Sequence, residues 1–94
     1  MPRLLAPDDV QAQLESLPGW RLEGDALVRD VARPDFAAGL ALVVAIGEEA
    51  EAMNHHPDID IRWNLVRLAV ATHSEGGLTQ LDIELAHRIN SLLS

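Results

Sequence analysis

The sequence predicts an α+β fold, a four-stranded antiparallel sheet with helices packed on one of its faces. Two stretches alternate apolar and polar residues and each contains a reversal, so each predicts a β-hairpin. Three other stretches repeat apolar residues at helical spacing. The elements follow one another as helix, hairpin, helix, hairpin, helix. Strand pairs separated by helices are typical of an antiparallel sheet that is covered on one face.

The first third of the chain predicts a short helix and the first hairpin. Apolar residues recur at helical spacing over residues 7–17, and Pro18-Gly19 ends that helix. Residues 20–22 and 26–33 have the character of strands, and residues 23–25 form the turn between them.

The central helix is expected to begin with Pro34 in its first turn and to run to about Asn54. From Phe36 to Ile46 it carries no charged residue on any side. A helix that is apolar all round needs to be covered all round, and one small sheet covers only one side. We therefore expect a subunit interface on this segment, where Gly39 and Gly47, two turns apart, would let another backbone approach closely. The alternative is a fully buried central helix.

The second hairpin and the last helix complete the predicted fold. Residues 58–63 alternate, with Trp63 at the end of the apolar face, and the chain reverses at Asn64 into a partner strand over residues 65–72. Thr79 is typical of a helix N-cap. The helix that follows has an apolar stripe of Leu81, Leu85, Ile89 and Leu92.

Composition and charge count against several classes of function. The chain of 94 residues has a formal charge of −8 and no lysine, whereas nucleic acid and anionic membranes are bound by basic surfaces. It has no cysteine, so disulfides and zinc–thiolate sites are excluded. Neither a signal peptide nor an apolar run of membrane-spanning length is visible. We therefore expect a cytoplasmic location.

The strongest candidate for a functional site is His55-His56-Pro57. Pro57 disfavours a helical backbone at His56, so the central helix should end near His55. Glu51 lies four residues before His55, so these two side chains would share a helix face and interact. Imidazoles titrate near neutrality, which suits them to proton transfer or to metal binding. A purely structural role as helix caps explains one of these histidines better than two.

Two later residues extend this candidate site. His73 lies where a strand gives way to a glycine-containing loop, a common position for functional residues. Asp82 occupies the third position of the last helix if Thr79 is its N-cap, and from there its carboxylate can bond back to the Thr79 backbone. Asp82 could cap the helix, orient a histidine, or do both. We interpret His87 as a solvated residue of the same helix.

Metal binding is the competing interpretation of the histidines. His55, His56 and His73 are suitable nitrogen donors, and Asp58 or Asp60 would supply oxygen. Adjacent histidines usually diverge, however, and the chain has no His-x-x-x-His pair. We therefore favour proton transfer and expect no metal.

These residues together resemble the signature of the pterin-4α-carbinolamine dehydratases. The signature has intervals of three, five, nine and eight residues and here reads Glu51, His55-His56-Pro57, Trp63, His73 and Asp82. So many constrained positions within a stretch of 32 residues make the match specific. The likeness covers about residues 8–93 and includes Gly19-Trp20 before the first hairpin.

The resemblance implies that residues 1–94 form a single dehydratase-like domain that assembles as homodimers or homotetramers. It also implies dehydration of 4a-hydroxytetrahydropterin to the quinonoid dihydropterin, a step of tetrahydropterin recycling, without a metal or organic cofactor. Animal members have an aromatic pair after His-His-Pro where this chain has Asp58-Ile59-Asp60, which reduces the surface for stacking. Proteins similar to this family also serve as a transcription-factor dimerisation partner or as an enzyme assembly factor. A binding module is therefore one alternative function, and a pterin-related enzyme that acts on another substrate is the second.

A role for each residue of the signature also follows from the resemblance. His55 and His73 would be the acid/base residues, and His56 would hydrogen-bond the substrate. Trp63 and Pro57 would contribute to the wall of the binding site. Two carboxylates would orient the imidazoles: Glu51 and Asp82.

Overall fold

A computed structural model describes residues 3–93. Its elements, labelled in chain order, are α1 (Pro7–Leu14), β1 (Arg21–Glu23), β2 (Ala26–Ala32), α2 (Phe36–Met53), β3 (Asp58–Arg62), β4 (Leu65–Val70) and α3 (Gln80–Leu93). A short 3-10 turn, His73–Glu75, lies between β4 and α3. None of the helices within this part of the chain is long and apolar enough to cross a membrane.

The four strands form one antiparallel sheet in the order β1-β2-β4-β3. The alternation of β4, an inner strand, places Val66, Leu68 and Val70 on one face, where none of their surface is exposed. α2 and α3 pack on that face and against each other. The predicted fold class, a four-stranded antiparallel sheet with helices on one face, is confirmed.

The first helix is shorter than its apolar pattern predicts. α1 ends at Leu14, and the amides of Ser16 and Leu17 bond to carbonyls three residues earlier instead of four. This tighter winding still carries Leu17 into the core, where 1% of its surface is exposed. The spacing of apolar residues therefore predicted burial correctly but overestimated the length of the helix.

α2 begins at Phe36 and not in the turn that contains Pro34. Asp35 is its N-cap, because its carboxylate accepts a hydrogen bond from a first-turn amide at 2.8 Å. Gly39 faces the sheet, and a side chain at this position would come within 3.1 Å of a methyl group of Ile61. The glycine lets α2 approach its own sheet. The close approach that we expected at Gly39 is thus made to the sheet of the same chain, whereas a side chain at Gly47 would meet nothing within 4 Å among the described residues.

The side of α2 that faces away from the sheet is apolar and exposed. Phe36, Leu40 and Val44 follow one another at intervals of four residues and keep 45%, 43% and 63% of their surface exposed. We call these three residues the α2 apolar stripe. Leu42 and Ile46, on the opposite side of the helix, are buried. One side of this uncharged segment is thus covered by its own chain and the other is not.

α3 buries a wider side than the predicted stripe. Leu85 and Ile89 are completely buried as predicted, but so are Ile83 and Ala86. Leu92, which the stripe includes, keeps 38% of its surface exposed. α3 packs against both α2 and β4, and two covering elements bury more of a helix than one does.

The sheet face opposite the helices carries a network of ion pairs. Arg21 pairs with Glu23 and Asp30, and Arg67 pairs with the same two carboxylates. Hydrogen bonding to Glu23 raises the pKa of Arg21. The charges on this face are therefore largely occupied with one another.

Candidate active site

The end of α2 turns the two adjacent histidines in different directions. Asn54 adopts the left-handed conformation, with φ 52° and ψ 43°. Its amide bonds to the Glu51 carbonyl, and the amide of His55 bonds to the Ala50 carbonyl. This pair of bonds is a Schellman motif, in which asparagine can replace the usual glycine. The helix therefore ends at Met53. This is two residues before His55, near which Pro57 predicted the end.

His55 forms the buried half of the site. Its Nε2 lies 2.6 Å from Oδ1 of Asp82, and 11% of the His55 side chain and none of the Asp82 side chain is exposed. Oδ2 of Asp82 accepts hydrogen bonds from the Thr72 hydroxyl at 2.7 Å and from the Thr79 amide at 2.9 Å. Asp82 thus caps α3 and contacts His55 at the same time.

His56 forms the exposed half of the site. Its Nε2 bonds to the carboxylate of Glu51, and 54% and 76% of these two side chains are exposed. Our expectation that Glu51 pairs with His55 is wrong. The left-handed Asn54 ends the helical spacing, so the residue that returns over Glu51 is five positions on and not four.

His73 shares a hollow with the other two histidines. It begins the 3-10 turn after β4, and its ring makes no hydrogen bond or ion pair to any residue from 3 to 93. The hollow has a volume of about 240 Å³ and is lined by Asn54, His55, His56, Ala71, Thr72, His73 and Ser74. A second hollow of about 280 Å³ shares Ala71 and His73 with it. Each hollow alone lies just below the usual volume of a small-molecule site, roughly 300–1,000 Å³.

The remaining signature residues lie around or away from this hollow. Pro57, Glu51 and Asp82 do not line it; the two carboxylates reach it only through the histidines that they bond. Trp63 lies in the turn between β3 and β4, with φ 52°, and 69% of its surface is exposed.

Trp63 is far from the hollow in its own chain. The five residues of β3 separate it from Pro57, and these six residue steps span about 20 Å at the usual rise of a strand. Our expectation that Trp63 continues the apolar face of β3 is wrong, because a left-handed turn residue leaves the alternation of the strand. A contact between Trp63 and a ligand at the histidines has no support within one chain.

Two residues that contact the site were not among the predicted site residues, although each carried a readable signal. Asn54 precedes the histidines, and asparagine is one of the few residues other than glycine that adopt the left-handed conformation readily. Thr72 continues the alternation of β4 beyond its last residue, so its hydroxyl occupies a core-facing position and needs a buried partner. That partner is Asp82.

The arrangement of these groups suits proton exchange with a ligand. His55 and His56 each direct a ring nitrogen at a carboxylate, while His73 lines the hollow and its ring has no such partner among residues 3–93. Groups that titrate near neutrality are effective general acids and bases. Within residues 3–93, no group of three or more His, Asp or Glu side chains is placed to hold a metal ion.

Sequence comparison identifies the family of the chain. The family model described as pterin 4 alpha carbinolamine dehydratase matches residues 3–92. A relative from Acidobacterium capsulatum is 48% identical over 89 residues, which cover 95% of this chain and 97% of the relative. A relative from Mycobacteroides abscessus is 49% identical over 88 residues, which cover 94% of each chain. Both are provisionally named as pterin-4-alpha-carbinolamine dehydratases.

Solved structures share the fold. A transcriptional coactivator/pterin dehydratase from Brucella melitensis superposes with a TM-score of 0.93 at 31% identity, covering 98% of this chain and 100% of its own. A pterin dehydratase-like protein identified as a RuBisCO assembly factor in the alpha-carboxysome has a TM-score of 0.63 at 19% identity. It covers 78% of this chain and 84% of its own, and shows the fold alone. Matched over nearly its whole length, the chain belongs to the pterin 4 alpha carbinolamine dehydratase family.

Proposed function

We propose that the protein dehydrates a 4a-hydroxytetrahydropterin to the quinonoid dihydropterin. The observation that carries this proposal is the convergence of His55, His56 and His73 on one hollow, with His55 bonded to a buried carboxylate. Membership of the family supports the class of substrate and reaction.

The reaction requires two proton transfers. The hydroxyl group on C4a leaves as water after its oxygen gains a proton, and a C4a=N5 double bond forms as N5 loses its proton. We assign His55 as the principal acid/base and His73, which lines the same hollow, as the second. His56 hydrogen-bonds the pterin. Neither step requires a metal or an organic cofactor.

The buried pair favours His55 for the principal role. A hydrogen bond to Asp82 at 2.6 Å holds the imidazole in one orientation. Groups that are held in place before the substrate binds need no reorganisation during the reaction. His56 and His73 lie in more exposed settings, which suit contact with a ligand that enters from solvent.

The experiment is a stopped-flow assay on chemically generated 4a-hydroxytetrahydropterin. The protein should accelerate dehydration over the spontaneous reaction, and the double variant His55→Ala, His73→Ala should remove that acceleration. We expect a loss of about 100-fold or more, because acid–base catalysis contributes roughly 10²–10⁴-fold. Circular dichroism should show an unchanged fold, with a lower melting temperature because Oδ1 of the buried Asp82 loses its partner.

The matched control is His87→Ala, which removes an exposed histidine of α3 outside the hollow. It should keep the wild-type rate. No acceleration by the wild-type protein, or full activity in the double variant, would refute the proposed reaction and favour a binding module. The transcriptional coactivator and the RuBisCO assembly factor among the solved structures are proteins of this fold with such roles.

We also propose that a second copy of the chain covers the α2 apolar stripe. Three large apolar side chains spaced along one helix face form a surface that water solvates poorly. Val44→Asp should shift the protein from dimer or tetramer to monomer in sedimentation velocity, whereas Leu92→Asp, at an exposed apolar position of α3, should not. A wild-type monomer at all concentrations would contradict the assignment. Separately, we propose that the protein is located in the cytoplasm.

A further inference from the structure

A continuous chain of hydrogen bonds runs from the start of α3 to His55. The hydroxyls of Thr72 and Thr79 lie 2.8 Å apart, and the Thr72 hydroxyl also lies 2.7 Å from Oδ2 of Asp82. The amide of Leu81 bonds to the Thr79 hydroxyl at 3.3 Å. Thr72 keeps 5% of its surface exposed, and Thr79 and Asp82 keep none. Water therefore has little access to these hydrogen bonds.

The chemistry of the groups gives every bond in the chain one direction. An ionised carboxylate only accepts hydrogen bonds, so the hydroxyl proton of Thr72 goes to Asp82. A hydroxyl has a single proton, so the bond between the two threonines must be donated by Thr79. The Thr79 oxygen in turn accepts from the Leu81 amide. One arrangement satisfies all four groups.

This arrangement fixes the carboxylate of Asp82. The terminal torsion of an aspartate is broad and does not by itself hold the plane of the carboxylate. Two donors on Oδ2, the Thr72 hydroxyl and the Thr79 amide, hold it instead. Oδ1 is then left facing Nε2 of His55. Because the carboxylate accepts, Nε2 carries the proton of the neutral imidazole and Nδ1 carries a lone pair.

We propose that Thr72 is a positioning residue that holds Asp82 so that neutral His55 is protonated at Nε2 and exchanges protons with the ligand through Nδ1. Only the consequence for turnover rests on the proposed dehydratase function. The tautomer of His55 is a property of the free protein. Its measurement therefore tests this inference even if the protein acts on another substrate.

The first test is the ¹⁵N NMR spectrum of His55 in the wild-type protein, assigned with His55→Gln. In the neutral form of His55, the spectrum should show Nε2–H and an unprotonated Nδ1. A predominant Nδ1–H tautomer would overturn the inference without any variant.

The second test compares three threonine variants. Thr72→Val keeps the shape of the side chain but removes the hydroxyl, and should give a mixture of His55 tautomers. It should also lower kcat/KM by roughly tenfold. This is less than the loss on the order of 100-fold that a misplacement of about 1 Å causes, because the Thr79 amide still holds Oδ2 of Asp82. Thr72→Ser restores the hydroxyl and should restore both the tautomer and the rate. Thr72→Ala replaces the valine variant if that variant does not fold.

Thr79→Val is the matched structural control. It removes the hydroxyl one bond further from Asp82 and a cap of α3, but leaves the Thr72 hydroxyl and the Thr79 amide on Oδ2. Its melting temperature should fall while His55 keeps the Nε2–H tautomer. A folded Thr72→Val or Thr72→Ala protein with the wild-type tautomer and kcat/KM would overturn the proposal.

Discussion

His55 and His56 are neighbours in the chain, yet their carboxylate partners place them in opposite environments. The His55–Asp82 pair is almost completely buried, with 11% and 0% of the side chains exposed. In the His56–Glu51 pair these values are 54% and 76%. A single left-handed residue, Asn54, separates the end of the helix from both histidines and makes this division possible.

The comparison shows why two similar histidine–carboxylate contacts contribute differently to the free energy of unfolding. Water can replace either partner of an exposed pair, so such pairs contribute about 0–1 kcal/mol. Removing one partner of a buried ion pair leaves the other partner unpaired and lowers the free energy of unfolding by about 3–5 kcal/mol. Asp82 has partners on both oxygens, whereas the carboxylate of Glu51 bonds to His56 at a solvent-exposed site. We therefore expect rigidity at His55 and adaptability at His56.

The variant with the largest expected effect is Asp82→Ala. It leaves the Thr72 hydroxyl and the His55 ring without their acceptor and removes a cap of α3. The free energy of unfolding should fall by about 3 kcal/mol, and the dehydration rate should fall with it. Urea denaturation and the stopped-flow assay measure the two effects.

Asp35→Ala is the control for this variant, because it removes a helix cap that contacts no histidine. The free energy of unfolding should then fall by only about 1 kcal/mol. Equal losses in the two aspartate variants would mean that capping alone explains Asp82.

Glu51→Gln should have the smallest effect, because it breaks the exposed pair. The free energy of unfolding should change by less than about 0.5 kcal/mol at physiological salt, where solvent and ions screen the contact. Glu48→Gln, an exposed glutamate of the same helix, is the matched control. If Glu51→Gln destabilised the protein as much as Asp82→Ala does, the proposed contrast between the two pairs would be incorrect.

Local pattern predicted most of the elements. Period-two alternation predicted both hairpins, and β4 buries the three apolar residues that its alternation selects. The uncharged run from Phe36 to Ile46 predicted a helix that its own chain covers on one side only. Boundaries were less predictable. Asp35 starts α2 through a side-chain hydrogen bond and Asn54 ends it through backbone hydrogen bonds, and periodicity reveals neither.

By itself, the sequence determined the fold class, the resemblance to the dehydratase family and the set of histidines and carboxylates at the candidate site. Only the tertiary structure decided which carboxylate meets which histidine. Helical spacing assigns Glu51 to His55, but the left-handed Asn54 sends that contact to His56. Asp82 lies 27 residues after His55 in the chain and reaches it because α3 starts beside the end of β4. Long-range packing sets that contact, and a spacing rule describes only near neighbours.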